Sequence, residues 1–174
     1  MVSGPPRIAA VMMLMFPEDG EDYVIFTRRT EEVKTHKGQI SFPGGHWESS
    51  DPSLAYTALR ETEEELGIRP ESIRLVGELP EVFTVVSNFV IKPYVGRLAG
   101  RPSYVADPIE VAEVIEVPLV ALRNPDIYWT EARGGPENSR QVHFFRYGDY
   151  VIWGATGRIL REFLDSGYSE LPNT

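Results

Sequence analysis

Short apolar runs alternate with polar breaks along the chain. Residues 8–16 are nine apolar positions in a row and predict a buried strand. Pro17-Glu18-Asp19-Gly20 supplies a turn, and residues 23–27 a second strand. Further strands fit residues 73–79, 89–98, 114–117 and 142–147. Helical periodicity is strongest after Asp51, which reads as an N-cap, with Pro52 at the first helical position and Gly67 as the stop. Inside that segment Ala55, Leu59, Thr62 and Leu66 recur at spacings of 4, 3 and 4, predicting one core-facing stripe. A last amphipathic helix fits residues 155–164, where Ile159, Leu160, Phe163 and Leu164 are apolar. Strands that flank a central helix and precede a terminal one predict a mixed α/β sandwich.

Composition narrows the chemistry. The 174 residues suit one domain (1–174), large enough to bury a core without staples. With no Cys, disulfide scaffolds, thiolate-bound zinc and thiol catalysis are excluded. Seventeen Lys and Arg against 26 Asp and Glu leave a net charge of −9, which argues against non-specific nucleic-acid binding. A nine-residue apolar run is too short for a bilayer that needs roughly 20 residues, so no membrane partner is expected. Without a cationic leader and small-residue cleavage pattern, the cytoplasm is the expected compartment.

Arg60-Glu61-Thr62-Glu63-Glu64-Glu65 carries the densest charge. At roughly 100° per residue, Glu61, Glu64 and Glu65 are expected on one side of the helix, opposite the apolar stripe. Glu61 meets Glu65 at i,i+4 and Glu64 at i,i+3, spacings at which like charges repel unless a cation lies between them. Carboxylate oxygens without Cys select Mg²⁺ or Mn²⁺. Arg60 can fold over Glu64 at i+4. Most glutamate runs are solvated faces, but such faces mix Lys with Glu, and from 51 to 68 Arg60 is the only basic residue. Upstream, Phe42-Pro43-Gly44-Gly45 forces an unusual backbone path whose bare carbonyls could complete a cation's shell.

Residues 45–68 resemble the Nudix box, GX5EX7REUXEEXGU. Arg60-Glu61, Glu64-Glu65 and Gly67-Ile68 match its second half, with Thr62 at the first aliphatic position. The first half departs: Asp51 stands where the box has Glu, and eight residues rather than seven separate it from Arg60. That expansion is a habit of the coenzyme A pyrophosphatase subgroup, whose upstream motif LLTXR[SA]X3RX3GX3FPGG is similar to Ile25-Phe26-Thr27-Arg28-Arg29-Thr30, Lys34, Gly38 and Phe42-Pro43-Gly44-Gly45. Thr84-Val85-Val86-Ser87-Asn88-Phe89, Pro93-Tyr94-Val95-Gly96, Glu110-Val111-Ala112-Glu113 and Trp153-Gly154-Ala155-Thr156 extend the likeness over roughly residues 8–165.

The resemblance implies a Nudix-type α/β/α sandwich and divalent-metal-dependent hydrolysis of the coenzyme A pyrophosphate to 3′,5′-ADP and 4′-phosphopantetheine, free or acylated. It implies Glu61 and Glu65 as principal ligands of Mg²⁺ or Mn²⁺, the Gly45 carbonyl completing the shell, Glu64 as ligand or base, and Arg60 orienting Glu64. Arg28, Arg29, Lys34 and Gly38 fall in the segment expected to read the substrate, where cations suit its 3′-phosphate. Glu113, and after it Glu110, are the expected further carboxylates, and the base stays open between the box and a distant loop. Two alternatives remain: hydrolysis of ADP-ribose, NADH or another nucleoside diphosphate, and a silent nucleotide-binding module. The expected partner is a small molecule, and the oligomeric state, a homodimer included, is left open.

Overall fold

The computed structural model describes residues 4–32 and 38–170. Strand β1, Arg7–Glu18, is joined to β2, Glu21–Arg29, by a two-residue hairpin turn. Asp19 and Gly20 both take positive φ, 52° and 81°, the geometry that matches strand twist in such turns. β1 therefore runs through Pro17 and Glu18, which the sequence assigned to the turn. Two short strands follow, β3, Ile40–Ser41, and β4, Gly44–His46, then helix α1, Leu54–Leu66. The chain continues through β5, Arg74–Glu78, β6, Val82–Thr84, β7, Phe89–Arg97, and β8, Val111–Pro118. A single turn of helix, α2, Leu119–Leu122, leads to β9, Tyr128–Arg133, β10, Arg140–Tyr147, β11, Tyr150–Trp153, and α3, Gly154–Asp165.

The first eight strands form one mixed sheet in which β1 lies between β2, antiparallel, and β7, parallel. That central place explains why β1 is continuously apolar. Ala10, Met12, Leu14 and Phe16 pack beneath α1 with Ala58 and Leu66, while Met13 and Met15 enter the opposite core with Phe145, Ile159, Leu160 and Phe163. The second core is closed by α3 and by a separate three-stranded sheet, β11-β10-β9. The result is the expected α/β sandwich. The small sheet was foreseen only at 142–147, because β9 and β11 are too short and too mixed to show a period of two. Among the described residues no helix is long and apolar enough to cross a membrane.

Two expectations for α1 are corrected. Its N-cap is Ser53, whose hydroxyl accepts from the Tyr56 N–H at 3.1 Å, so Asp51 and Pro52 precede the helix. Its inward face is also turned: Ala58, Thr62, Glu65 and Leu66 are buried with Thr57, whereas Ala55 and Leu59 are only partly covered. The sheet beneath accommodates small and polar groups there, so hydrophobicity misread the angle.

Helix α3 sits so close to β10 that a Cβ on Gly157 would run into the His143 carbonyl. Gly157→Ala is expected to cost about 2 kcal/mol through overpacking. Melting should fall by roughly 4–8 °C, whereas Gly100→Ala, which meets open space, should leave it unchanged.

Candidate active site

Helix α1 and the β3–β4 connection meet where two glycines remove every side chain between them. A Cβ on Gly44 would lie 2.6 Å from the Val11 Cα, and one on Gly45 2.6 Å from both carboxylate oxygens of Glu61. Glycine at these two positions is thus required for the turn to pass between β1 and the acidic helix. The Gly44 N–H donates to the Glu65 carboxylate.

Contrary to the expected single polar face, the three glutamates divide. Glu65 is 4% exposed and points at the turn, the Glu61 side chain is 14% exposed, and Glu64 remains at the rim with 58%. Arg60 gathers much of the local charge. Its Nη1 donates to Glu61 at 2.9 Å and to both Glu64 oxygens at 3.3 Å, and its Nη2 donates to the His46 carbonyl at 3.0 Å. The same guanidinium grips Asp51 through Nε at 3.0 Å and Nη2 at 2.9 Å. Asp51 also accepts from the Thr57 hydroxyl and the Glu48 N–H. The hydrogen bonds from Arg60 come first in holding Asp51 down, to a pKa of about 2. The shortened acid and the one-residue expansion before Arg60 thus end in a bidentate pair, which sequence reasoning missed because the loop brings the two together.

Glu65 shows the opposite electrostatics. Burial, then the charges of Glu110 and Glu61, push its pKa up to about 8, against the pull of Arg29 and the Gly44 N–H. Glu61 is raised by burial and restrained by Arg60. Glu110, the less favoured of the two outlying acids, is therefore the one whose charge reaches the cluster. The loop between β7 and β8 carries it there: Val105 and Asp107 donate backbone N–H bonds to the Leu66 and Glu65 carbonyls at 2.9 Å, capping α1. Glu113 is engaged elsewhere, by Arg28 at 3.0 Å and by the Tyr150 hydroxyl.

Arg28 and Arg29 separate as well. Arg28 goes to Glu113, whereas Arg29 lies close enough to Glu65 and His46 for its charge to be felt by both. The Arg29 Nε is buried and, among the described residues, meets no hydrogen-bond partner. Gly38 adopts φ 64°, with Glu31 where its Cβ would be. Lys34, with His36 and Lys37, lies outside the described residues. His46, given no role from sequence, has its pKa lowered by burial and then by Arg7 and Arg29. Its ring packs on Phe89, over which Arg7 lies at 4.1 Å.

Among the described residues no three His, Asp or Glu groups converge on one point as they stand, and Glu61 is drawn to Arg60. The donor chemistry nonetheless fits a hard divalent cation. Glu61 and Glu65 occupy successive turns, both press on a glycine turn, and both are destabilised as anions by burial.

The family model described as NUDIX domain matches residues 6–134. The chain is 42% identical over 145 residues to the Nudix hydrolase NudL of Citrobacter koseri, itself uncharacterized, covering 80% of this chain and 72% of that protein. Among solved structures, a MutT/nudix family protein from Enterococcus faecalis superposes with a TM-score of 0.61 at 17% identity, over 93% of this chain and 62% of that one. The NUDIX domain of Shewanella oneidensis NrtR, solved in complex with ADP ribose, superposes with a TM-score of 0.55 at 19% identity, over 68% and 76%. At these identities the two structures speak for the fold.

In the metal-free protein Glu65 holds a proton in the folded state that it loses above about pH 4.5 when unfolded. Stability should therefore fall as pH rises from about 4.5 to about 8, by a few kcal/mol at most. Melting followed from pH 5 to pH 8.5 in EDTA tests this: Glu65→Gln should flatten the profile and be the more stable protein at the alkaline end.

Proposed function

The chain belongs to the Nudix hydrolase family, and from that premise we propose that it hydrolyses the pyrophosphate bond of coenzyme A or its acyl derivatives, releasing 3′,5′-ADP and the phosphopantetheine half. The observation that carries the hydrolytic reading is the buried Glu65 at the Gly44–Gly45 turn, whose anion is opposed by burial and by the charges of Glu110 and Glu61, a repulsion with no structural use. Nudix hydrolases generally use divalent metal ions. Bound by Glu61, Glu65 and the Gly45 carbonyl, with Glu64 beside it, Mg²⁺ or Mn²⁺ would supply charge neutralisation to both the helix and the diphosphate.

The remaining roles fall to the chain's own groups. Arg60 fixes Glu64 at the exposed rim, where its carboxylate can accept the proton of the attacking water. Asp51 holds Arg60 from the far side, so the guanidinium cannot follow Glu64 into solvent. Arg29, whose charge is felt at Glu65, would offer its guanidinium to the substrate's diphosphate next to the glutamates. The coenzyme A assignment is supported by the upstream motif from Ile25 to Gly45, in which Arg29 and Gly38 stand at the motif's Arg and Gly and Lys34 would read the 3′-phosphate. Nothing comparable in the motif favours ADP-ribose, which therefore serves as the discriminating control.

Purified protein incubated with coenzyme A and Mg²⁺ should release 3′,5′-ADP, faster than it cleaves ADP-ribose, and EDTA should stop both. Glu65→Gln, which keeps shape and removes a ligand charge, should lower kcat by about 100-fold or more. ADP-ribose cleavage without coenzyme A cleavage would overturn the substrate, and Glu65→Gln turning over at the wild-type rate would overturn the metal site.

A further inference from the structure

The end of β2 sends two neighbouring cations to opposite faces, as alternation along a strand requires, and the strands around them decide what each one meets. In the β2–β8 pairing Arg28 stands opposite Glu113, but the register shifts at the next step and Arg29 stands opposite Val111. Ala112 is the extra residue of a bulge, a feature that bends a strand end and re-aims its side chains. A bulged end is also a loosened one, since a ladder position is left unpaired there. Arg29 emerges from this end with its charge felt at Glu65 and its Nε, among the described residues, without a hydrogen-bond partner.

What fixes the strand end is on the other side of the bulge. Arg28 Nε donates to one oxygen of Glu113 at 3.0 Å, and the Tyr150 hydroxyl donates to the other. The Arg28 and Glu113 side chains are 44% and 35% exposed, and such a pair by itself is worth about 1 kcal/mol or less. The phenol changes this, because it fills the second oxygen with a charge-assisted bond and leaves Glu113 one rotamer instead of several. Tyr150 comes from β11, beyond residues 6–134 where the family model matches. The C-terminal sheet therefore reaches the Glu113 anchor beside the bulge through the Tyr150 hydroxyl.

We propose that Tyr150, acting through Glu113 and Arg28, is a positioning residue that sets where Arg29 presents its guanidinium to the substrate diphosphate. The proposal rests on the reading of Arg29 as a diphosphate ligand. Glu113 then has no role in the chemistry: its two oxygens are used to anchor β2 to β11. Arg28 likewise acts on the strand rather than on the substrate.

A double-mutant cycle on the binding of inorganic pyrophosphate to the Mg²⁺-loaded protein, measured by calorimetry, tests this. Arg29→Ala is expected to weaken binding by roughly 10–100-fold and Tyr150→Phe by about 3–10-fold. The double variant should bind no more weakly than Arg29→Ala alone, because Tyr150 works only through Arg29. In turnover, Tyr150→Phe should raise KM and leave kcat within about twofold, the pattern of lost binding shared by ground and transition states. Should Tyr150→Phe melt early, Glu113→Gln, which keeps the shape of the anchor, is expected to give the same cycle. Wild-type affinity in Tyr150→Phe, additive losses in the double variant, or an Arg29→Ala that binds as well as wild type would each overturn the proposal. Pyrophosphate binding needs no turnover, so failure to cleave coenzyme A would sink the hydrolase reading while the cycle still decides the role of Tyr150.

Discussion

One guanidinium makes the acidic face of α1 possible. Arg60 holds Asp51, Glu61 and Glu64 at once and also donates to the His46 carbonyl, so it joins the loop before the helix, the helix and the strand leaving the glycine turn. Without a cation in that place, the carboxylates of one helical face would repel across a single turn, and the Asp51 loop would have no reason to close on the helix start. The arrangement is asymmetric. Arg60 satisfies Glu64 and restrains Glu61, but it does not reach Glu65, which is left to burial and to its neighbours' charges. The protein thus quiets some of its negative charge internally and leaves the rest opposed by burial and like charge at the glycine turn.

The sandwich serves this by holding the site rigid from two sides. Below the sheet, α1 is locked by its own Ser53 cap, by Ala58 and Leu66 in the core, and by the β7–β8 loop bonded to its last carbonyls. That loop is also bonded to Thr30 through the Glu110 carbonyl, so the acid facing Glu65 and the start of the β2–β3 loop move together. Above the sheet, α3 and the small sheet brace β2 from the opposite core, with an outer ladder of stacked rings, Trp129, Phe144 and Trp153, tying β9, β10 and β11 together. The acidic helix therefore packs on a sheet held on both faces, which suits chemistry that tolerates little misplacement.

Much of this was legible in the chain. The unbroken apolar run from Ile8 to Phe16 demanded a strand buried on both faces, and β1 is that strand. The spacing of Glu61, Glu64 and Glu65, with Gly44 and Gly45 upstream, marked the acidic helix and the turn that meets it, because i,i+3 and i,i+4 neighbours and glycine's freedom are local properties. The helix start was misjudged because Asp51, Pro52 and Ser53 all suit an N-terminus, and Asp51 was recruited by Arg60 instead.

Tertiary structure alone decided which carboxylate is buried, which arginine meets which acid, and what lies across the bulge. Periodicity gives the angle between side chains on a helix but not the direction in which the sheet receives them, so Glu65 could not be known to point inward. Arg28 and Arg29 must point to opposite faces of β2, but only the pairing with β8 shows that one meets Glu113 and the other lies near Glu65. Tyr150 meets Glu113 across 37 positions of chain, a contact with no local trace. Local patterns set the elements and their chemistry, because they depend on residues within a few positions; pairings between distant strands depend on where the fold closes, and those pairings complete the site.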